Sequence, residues 1–373
     1  MKRSIVAFSE SSDAQTALSE CIAQINKEFA EPKILIYFSH PDDFIYYTEE
    51  IKKIFPSSTT IGAMNFSSFS SQGNSKTGLS ILAIFSGIEV SSGLIFEISR
   101  HPRNYVTHIR KALDEISSYE NTICLEFMSA GSKGEELVMD TFNQEFRDKG
   151  IRVVGGTAYE SPDGKTSFVA LDGVVYTNTC VFALIHNMNG KICDYRENIY
   201  KATSHIFMAT DVDCENRIVY EYNDEPAAEA ISKALGISKS ELKSPLNMIK
   251  HPMGRLINNR LFITAVDKIN DDDSISYFSR IYNCTKMALL DVDDFETVWQ
   301  RTKRNVLKEI PKPSFSLAIN CSLRTELFNR TGEFENFTSH LKEMLGTYIG
   351  FSSHGEQMDY IHLNQTLVLL VFE

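Results

Sequence analysis

The chain has 373 residues, and we expect two domains because a single domain commonly has about 100 to 200 residues. Its hydrophobic fraction of 43% and charged fraction of 23% are typical of a folded globular protein and exclude a disordered or fibrous chain. The net charge of −12 and the lack of a Lys/Arg cluster argue against nucleic-acid binding, which needs a basic surface.

The sequence also predicts a cytoplasmic protein that does not insert into a membrane. Glu10 and Asp13 follow the N-terminus before any apolar signal-peptide core develops. The longest apolar region, residues 81–98, is broken by two glycines and a glutamate and so does not predict a membrane span. The seven cysteines are odd in number and scattered, which is typical of reduced thiols in the cytoplasm.

The first predicted elements are a helix over residues 13–29 and then a unit of strand, helix and strand. Residues 34–38 alternate like a strand, residues 44–55 have helical apolar spacing, and residues 59–61 run into an Ile-Gly step. A serine-rich loop follows this first copy of the unit.

A second copy has the same order. Its first strand covers residues 123–127 and its helix covers residues 135–146. Its second strand ends in Gly155 and Gly156, which permit close backbone approach and so predict either a pocket lining or a tight turn needed for packing.

Two antiparallel pairings are predicted around these copies. Residues 79–85 and 94–98 read as paired strands. Residues 167–171 and 174–186 flank an Asp-Gly pair, which is a strong hairpin signal.

A polar stretch over residues 187–200 interrupts the apolar pattern and predicts the domain boundary. We therefore expect one domain over residues 1–195 and a second over residues 196–373. In the second domain, residues 260–266 and 274–281 predict a hairpin, and a helix capped by an aspartate follows before a pair of prolines.

A third copy ends the chain: a strand over 315–319, a helical stretch to about 345, a strand ending in Gly350, and a strand over 361–372. Strand-helix-strand units followed by antiparallel strands imply mixed sheets with helices on their faces. The predicted fold class is therefore α+β, or mixed α/β, with two domains built from repeated units.

The third copy alone carries dense polar chemistry. Cys321 and Arg324 follow its first strand, and His354 and Glu356 occupy the loop after its second. Parallel strand-helix-strand geometry brings these two strand ends to one edge of the sheet, where ligands commonly bind. The predicted ligand-binding residues are Cys321, Arg324, Gly350, Phe351, His354, Gly355, Glu356, Asn364, Gln365, Thr366, Gly155 and Gly156.

This set leaves several functions open. Arg324 suits a carboxylate and Glu356 an ammonium group, so together they suit a zwitterion such as an amino acid. A structural alternative pairs Arg324 with Glu356 and uses Asn364 and Gln365 to satisfy buried backbone groups.

An enzymatic alternative, a hydrolase or transferase, makes Cys321 a nucleophile and His354 its base. A further alternative is an interaction scaffold without a small ligand, which predicts a filled pocket and a sizeable apolar patch. No metal-ligand spacing and no cofactor motif occurs in the sequence, so we expect neither a metal nor a cofactor.

The same residues resemble the FIST sensory domain family, in both its N-terminal and C-terminal parts, over about residues 33–372. The motifs that carry the resemblance are Gly155-Gly156-Thr157-Ala158, Cys321 with Arg324, Gly350-Phe351 with Gly355-Glu356, and Asn364-Gln365-Thr366. The resemblance implies a cytoplasmic sensory module that binds a small molecule such as an amino acid and is not an enzyme. It also implies a signalling partner or output domain such as a chemotaxis receptor, a diguanylate cyclase or a histidine kinase.

Overall fold

The structure, a computed structural model, describes residues 3–26, 30–161, 164, 166–257 and 260–373. Two repeats come first along the chain. The first consists of β1 (Ser4–Ser9), α1 (Ala14–Ile25), β2 (Ile34–Ser39), α2 (Phe44–Ile54), β3 (Thr59–Met64), β4 (Ser68–Ser70), β5 (Asn74–Ser75) and β6 (Leu79–Ile84). The second consists of β7 (Ile88–Phe96), α3 (Val106–Asp114), β8 (Thr122–Met128), α4 (Glu135–Phe146), β9 (Arg152–Thr157), β10 (Val169–Leu171), β11 (Val174–Tyr176) and β12 (Thr179–Asn187).

The third repeat begins with one strand and then accepts a long insertion. After β13 (Ile192–Glu197), the insertion consists of β14 (Tyr200–Asp213), β15 (Ile218–Tyr222), β16 (Glu225–Pro226), α5 (Ala227–Leu235), α6 (Lys239–Leu242), α7 (Pro245–Lys250), β17 (Met253–Ile257), β18 (Arg260–Thr264), β19 (Val266–Ile269), β20 (Ile275–Tyr277) and β21 (Lys286–Val292). The repeat then continues with α8 (Phe295–Glu309), β22 (Phe315–Cys321), α9 (Ser322–Thr331), α10 (Phe334–Leu345), β23 (Tyr348–Ser353), β24 (Glu356–Met358), β25 (Ile361–Leu363) and β26 (Leu367–Phe372). Short 3-10 helices occur at Pro41–Asp43, Pro102–Tyr105 and Arg147–Lys149.

Each repeat forms the body of its own six-stranded sheet, with the same strand arrangement. The strand-helix-strand unit gives a parallel pair: β2 with β3, β8 with β9, and β22 with β23. The last strand of each repeat then pairs antiparallel with the first strand of that unit. The predicted class is therefore confirmed: the fold is mixed α/β, and repeated strand-helix-strand units build it.

The hairpin within each repeat leaves its own sheet and completes another. The first repeat's hairpin, β4–β5, pairs with β23 of the third repeat, and the second repeat's hairpin, β10–β11, pairs with β3 of the first. The third repeat's hairpin, β24–β25, pairs with β9 of the second. The three repeats therefore exchange hairpins in a closed cycle.

Aromatic rings pack where the three repeats meet. Phe38 stacks on Phe351 with ring centroids 4.4 Å apart, and Phe127 packs edge-on against both rings at 5.4 and 5.6 Å. All three rings are fully buried. They belong to β2, β23 and β8, so this contact joins all three repeats through close-packed aromatic surface.

The insertion forms a fourth sheet in the order β18-β17-β21-β14-β15-β20-β19, with β16 beside β15. Helix α5 ends at Gly236, which has a left-handed backbone, and α8 is capped by Asp294, whose carboxylate accepts from Thr297 N–H. The predicted aspartate cap of α8 is therefore confirmed.

One predicted pairing is wrong and a second is correct only in part. β6 pairs with β1 and β2, whereas β7 pairs with β12 in another sheet, because a new repeat begins between them. A hairpin does form across residues 270–273, between β19 and β20, but residues 260–264 do not belong to it, because β18 pairs with β17. Alternation reports which face of a strand is buried and does not identify its partner.

Other local predictions hold with small changes. The hairpin across the Asp-Gly pair forms between β10 and β11 but ends at Tyr176, and β12 then joins the second sheet. Helix α1 ends at Ile25, and residues 27–29 of the predicted helix lie outside the described residues. Within the described residues, no helix is both long enough and apolar enough to cross a membrane.

Candidate functional site

The predicted site residues from distant parts of the chain meet where the third repeat's hairpin crosses onto the second repeat. On β24, Glu356 lies opposite Gly156 and Gln357 lies opposite Gly155. Thr366, just before β26, donates its backbone N–H and its hydroxyl to Glu356 Oε2 at 3.1 and 2.8 Å. The structure thus gathers three of the segments that the sequence singles out.

Glu356 is the buried carboxyl at the centre of this cluster. Its second oxygen, Oε1, accepts from the Ser353 hydroxyl at 2.6 Å, so three hydrogen bonds hold the group. Burial raises the pKa of Glu356 to about 7, although the bonds from Ser353 and Thr366 and the charge of Arg324 act in the opposite direction. The carboxyl therefore changes protonation state near neutral pH.

Arg324 pairs with a residue that the sequence did not indicate. Its Nη2 donates to Glu197 Oε1 at 2.6 Å, its Nη1 donates to the Glu197 carbonyl at 3.3 Å, and both residues are buried. The guanidinium also lies 5.4 and 5.8 Å from the ring centroids of Phe328 and Phe337. The alternative in which Arg324 pairs with Glu356 is wrong, because the last residue of β13 supplies the carboxylate instead.

Cys321 and His354 lie at the edge of the cluster in separate environments. Cys321 precedes α9, and its N–H donates to the Thr366 carbonyl at 3.0 Å. The His354 ring packs edge-on against Tyr159, with ring centroids 5.0 Å apart. The backbone N–H of His354 donates to the Thr157 carbonyl. Within the described part of the chain, no hydrogen bond joins Cys321 to His354.

The protonation states of these two groups do not resemble those of a thiolate pair. Burial and the charge of Glu356 raise the pKa of the Cys321 thiol, and burial lowers the pKa of His354 to about 4. A nucleophilic cysteine needs a lowered pKa. The geometry therefore does not favour the hydrolase alternative.

Asn364 and Gln365 connect the cluster to the inserted sheet. Asn364 Oδ1 accepts from the Ser279 hydroxyl at 3.0 Å and from Ala265 N–H at 3.4 Å. Gln365 has a left-handed backbone with φ of 51°, and its amide donates to the Ile249 carbonyl at 2.9 Å. These bonds satisfy buried backbone groups, as the structural alternative expects.

The predicted glycines allow close packing at two hairpin crossings, Gly156 where β24 meets β9 and Gly350 where β4 meets β23. A Cβ atom at Gly156 would lie 2.7 Å from Ile319 Cγ2, and one at Gly350 would lie 2.4 Å from Phe69 Cε2. Gly355 has φ of 117°, and a Cβ there would lie 2.5 Å from His362 Cε1. Phe351 follows Gly350 and forms the central aromatic contact, so these residues support the fold around Glu356.

Sequence reasoning missed several buried charged residues. Glu126 lies in the apolar strand β8, accepts from the Cys180 thiol at 3.6 Å, and would be 2.2 Å from a Cβ at Gly155. Burial raises its pKa well above the usual range. Glu126 could have been recognised in the sequence as a buried charged residue, because it lies inside a run of apolar residues. Glu197 could not, because it ends an ordinary amphipathic strand.

A second missed group joins the second repeat to the inserted sheet. Arg217 Nη2 donates to Glu135 and Glu136 at 2.7 and 2.6 Å, and the Arg280 N–H donates to Glu136 at 2.9 Å. Buried ion pairs of this kind fix one arrangement of neighbouring elements. Two buried ion-pair groups thus join separate elements: Arg324 joins α9 to β13 across the insertion, and Arg217 joins the insertion to the second repeat.

Four surface cavities lie elsewhere on the described residues. Their volumes are about 550, 320, 360 and 440 Å³, and no predicted site residue lines any of them. Ligand binding by the predicted residues therefore stays a prediction.

Two family comparisons cover nearly the whole chain. The FIST N domain matches residues 33–225, and the FIST C domain matches residues 227–359. No curated protein matches the chain. The FIST N match thus covers the first and second strand-helix-strand units and extends into the insertion. The FIST C match includes β24 with Glu356.

Proposed function

Because this chain belongs to the FIST family, a family of sensory domains, we propose that it is a cytoplasmic sensor of an amino acid or a similar small metabolite. It would signal through a partner or an output domain, such as a chemotaxis receptor, a diguanylate cyclase or a histidine kinase. The proposed ligand site is the cluster around Glu356, at the crossing of the third repeat's hairpin onto the second repeat.

The observation that carries this proposal is a buried carboxyl that the other two hairpins lack at the equivalent position. Glu356 lies opposite Gly156, the second residue of the Gly-Gly step of β9, and the equivalent positions of the other two hairpins hold Ser68 and Val169. Those two hairpins complete their sheets without an ionisable group at this position. A buried carboxyl that costs stability and has no architectural equivalent is typical of a functional site.

The site's connections supply a route from ligand to signal. Thr366 and Glu356 join the hairpin to β26, while Asn364 and Gln365 join the same segment to the inserted sheet. Glu356 is fully buried, so a ligand ammonium group reaches it only when the hairpin moves. A ligand that binds the opened arrangement more tightly would shift the population toward it.

The test is a thermal-shift screen of the wild-type protein against the standard amino acids and their decarboxylated amines. A ligand at about 100 times its Kd should add about 2.7 kcal/mol to the free energy of unfolding. Glu356→Gln keeps the shape of the side chain and should abolish the shift. Glu145→Gln is the matched control, because Glu145 pairs with Arg110 on another face of the second repeat.

The assignment to this site fails if a ligand shifts wild type and Glu356→Gln equally. The sensory proposal itself fails if neither these compounds nor a broader metabolite set stabilises the wild-type protein. These two outcomes are separate, because the first needs a hit and the second needs none.

The second candidate function is an interaction scaffold, and one observation favours it. Strands β14 and β15 of the inserted sheet expose the large apolar side chains Ile206, Met208 and Tyr220, with exposed fractions of 38%, 38% and 37%. Exposed apolar patches commonly mark protein contacts. Chemical cross-linking of the wild type and Met208→Lys in cell extract tests this candidate, because a scaffold contact through this face should be lost in the variant.

A further inference from the structure

A groove runs between helices α8 and α10 on the third repeat, away from the Glu356 cluster. Its volume is about 550 Å³, which is within the range of cavities that hold small molecules. Its walls are the first two turns of α8 and the facing side of α10.

The lining is strongly acidic. Asp294, Glu296, Glu333 and Glu343 contribute four carboxyl groups, and no lysine or arginine lines the groove. Lys303, at the rim, pairs with Glu343 at 2.5 Å. In the described part of the chain, the other three carboxylates form no ion pair within 4.0 Å. The groove thus holds a surplus of negative charge that attracts a cation.

The floor of the groove is aromatic. Phe295 stacks on Trp299 with ring centroids 5.8 Å apart, and Trp299 stacks on His340 at the same distance. Aromatic faces attract organic cations through the ring quadrupole and also bury the apolar part of such a ligand. A strongly hydrated metal ion would gain nothing from this floor.

Two polar atoms of the floor lack hydrogen-bond partners. Trp299 is 3% exposed and His340 is 7% exposed, and neither Trp299 Nε1 nor His340 Nε2 has a partner among the described residues. Burial lowers the pKa of His340, so its imidazole is neutral, and Nε2 accepts a hydrogen bond when the proton is on Nδ1. An unpartnered buried group of this kind costs stability until a ligand satisfies it.

We propose that the groove between α8 and α10 binds a small organic cation, an amine or a guanidinium compound, through Glu296, Glu333 and the floor formed by Phe295, Trp299 and His340. The carboxylates neutralise the charge of the cation, the rings cover its carbon chain, and His340 accepts from its N–H. The described residues contain no group of three His, Cys, Asp or Glu side chains arranged to hold a metal, which agrees with an organic ligand. This second site does not depend on the proposed function of the Glu356 cluster.

The chain offers a direct probe, because Trp299 is its single tryptophan. Tryptophan fluorescence of the full chain is titrated with agmatine and with putrescine, and sodium chloride at equal ionic strength serves as the blank. Binding should give a saturable change in emission. In the double variant Glu296→Gln/Glu333→Gln, the Kd for agmatine should rise by about tenfold or more, since two charge-assisted contacts are lost.

The matched control is Glu309→Gln/Glu335→Gln, which removes one carboxyl from each of the same two helices but outside the lining. Its Kd should stay within about twofold of wild type. The four replaced residues are at the surface, and equal thermal unfolding of both variants confirms that they fold.

Three results would overturn the proposal. The first is a fluorescence change no larger than that caused by sodium chloride. The second is equal affinity in wild type and Glu296→Gln/Glu333→Gln, and the third is an equal loss in the control, which would reflect net charge alone.

Discussion

The titration of Glu356 provides the sharpest prediction for the folded protein. Burial raises its pKa from 4.5 to about 7, so the folded state holds this proton more tightly than the unfolded state does. The free energy of unfolding therefore falls as the pH rises from about 4.5 to about 7, by about 1.4 kcal/mol per pH unit. The whole interval contributes about 3 kcal/mol, and the contribution is constant outside it.

Replacing Glu356 with glutamine removes this pH dependence, because glutamine does not titrate and resembles the protonated acid. The difference in unfolding free energy, Glu356→Gln minus wild type, should increase by about 3 kcal/mol between about pH 4.5 and pH 8. This difference is measured by urea unfolding at steps of one pH unit, with far-ultraviolet circular dichroism as the readout. Glu126 also has a raised pKa, but its titration is common to both proteins and cancels in the difference.

A difference that stays constant across this pH range would refute the reasoning. It would mean that the three hydrogen bonds to Glu356 compensate fully for its burial, and that the carboxylate is as stable inside the protein as in water. The variant Glu145→Gln checks the method. Arg110 lowers the pKa of Glu145, so that variant should show no change over the neutral range.

Three further predictions follow from buried contacts. Arg324→Met should lower the free energy of unfolding by about 3 to 5 kcal/mol in urea denaturation, because it leaves the carboxylate of Glu197 buried without a partner. Adding Glu197→Gln should restore part of this loss. If stability is not restored, the pairing of Arg324 with Glu197 is contradicted. Gly350→Ala should cost about 1 to 3 kcal/mol by the same measurement, since the new methyl group would meet a buried ring and a carbonyl oxygen at about 2.5 Å; a neutral effect would show that the strand shifts freely. Iodoacetamide at neutral pH should modify the exposed Cys284 well before Cys321, as read by peptide mass spectrometry, because burial raises the pKa of Cys321; rapid modification of Cys321 would revive the hydrolase alternative.

The local elements of the fold follow from the sequence because their signals are local. The spacing of apolar residues predicts α2 and α4 closely, and the Asp-Gly pair predicts the β10–β11 hairpin. The hairpin exchange could not be predicted in this way. Nothing in the short segment Ser68–Ser70 indicates that its partner is β23, near the other end of the chain.

The site was predictable to a similar extent. The rule that parallel strands end at one edge predicted that Cys321 and Arg324 lie on the same side as His354 and Glu356. In the structure the two strand ends do meet, because Cys321 of β22 is paired with Ser353 of β23. The partner of Arg324 could not be predicted from the sequence, because Glu197 lies 127 residues earlier in the chain, before the insertion. The domain boundary between residues 195 and 196 stays a prediction, and β13 on that boundary pairs with β26.

The cyclic exchange of hairpins restricts how a protein of this kind can change in size. Solenoid proteins gain or lose whole repeats because each repeat contacts only its neighbours. Here the first repeat completes the sheet of the third, so removing one repeat would leave a strand edge without its hairpin and a hairpin without its edge. A single repeat therefore cannot be lost from this chain without breaking the exchange, whereas growth is accommodated in connections outside it, as the insertion between β13 and α8 illustrates.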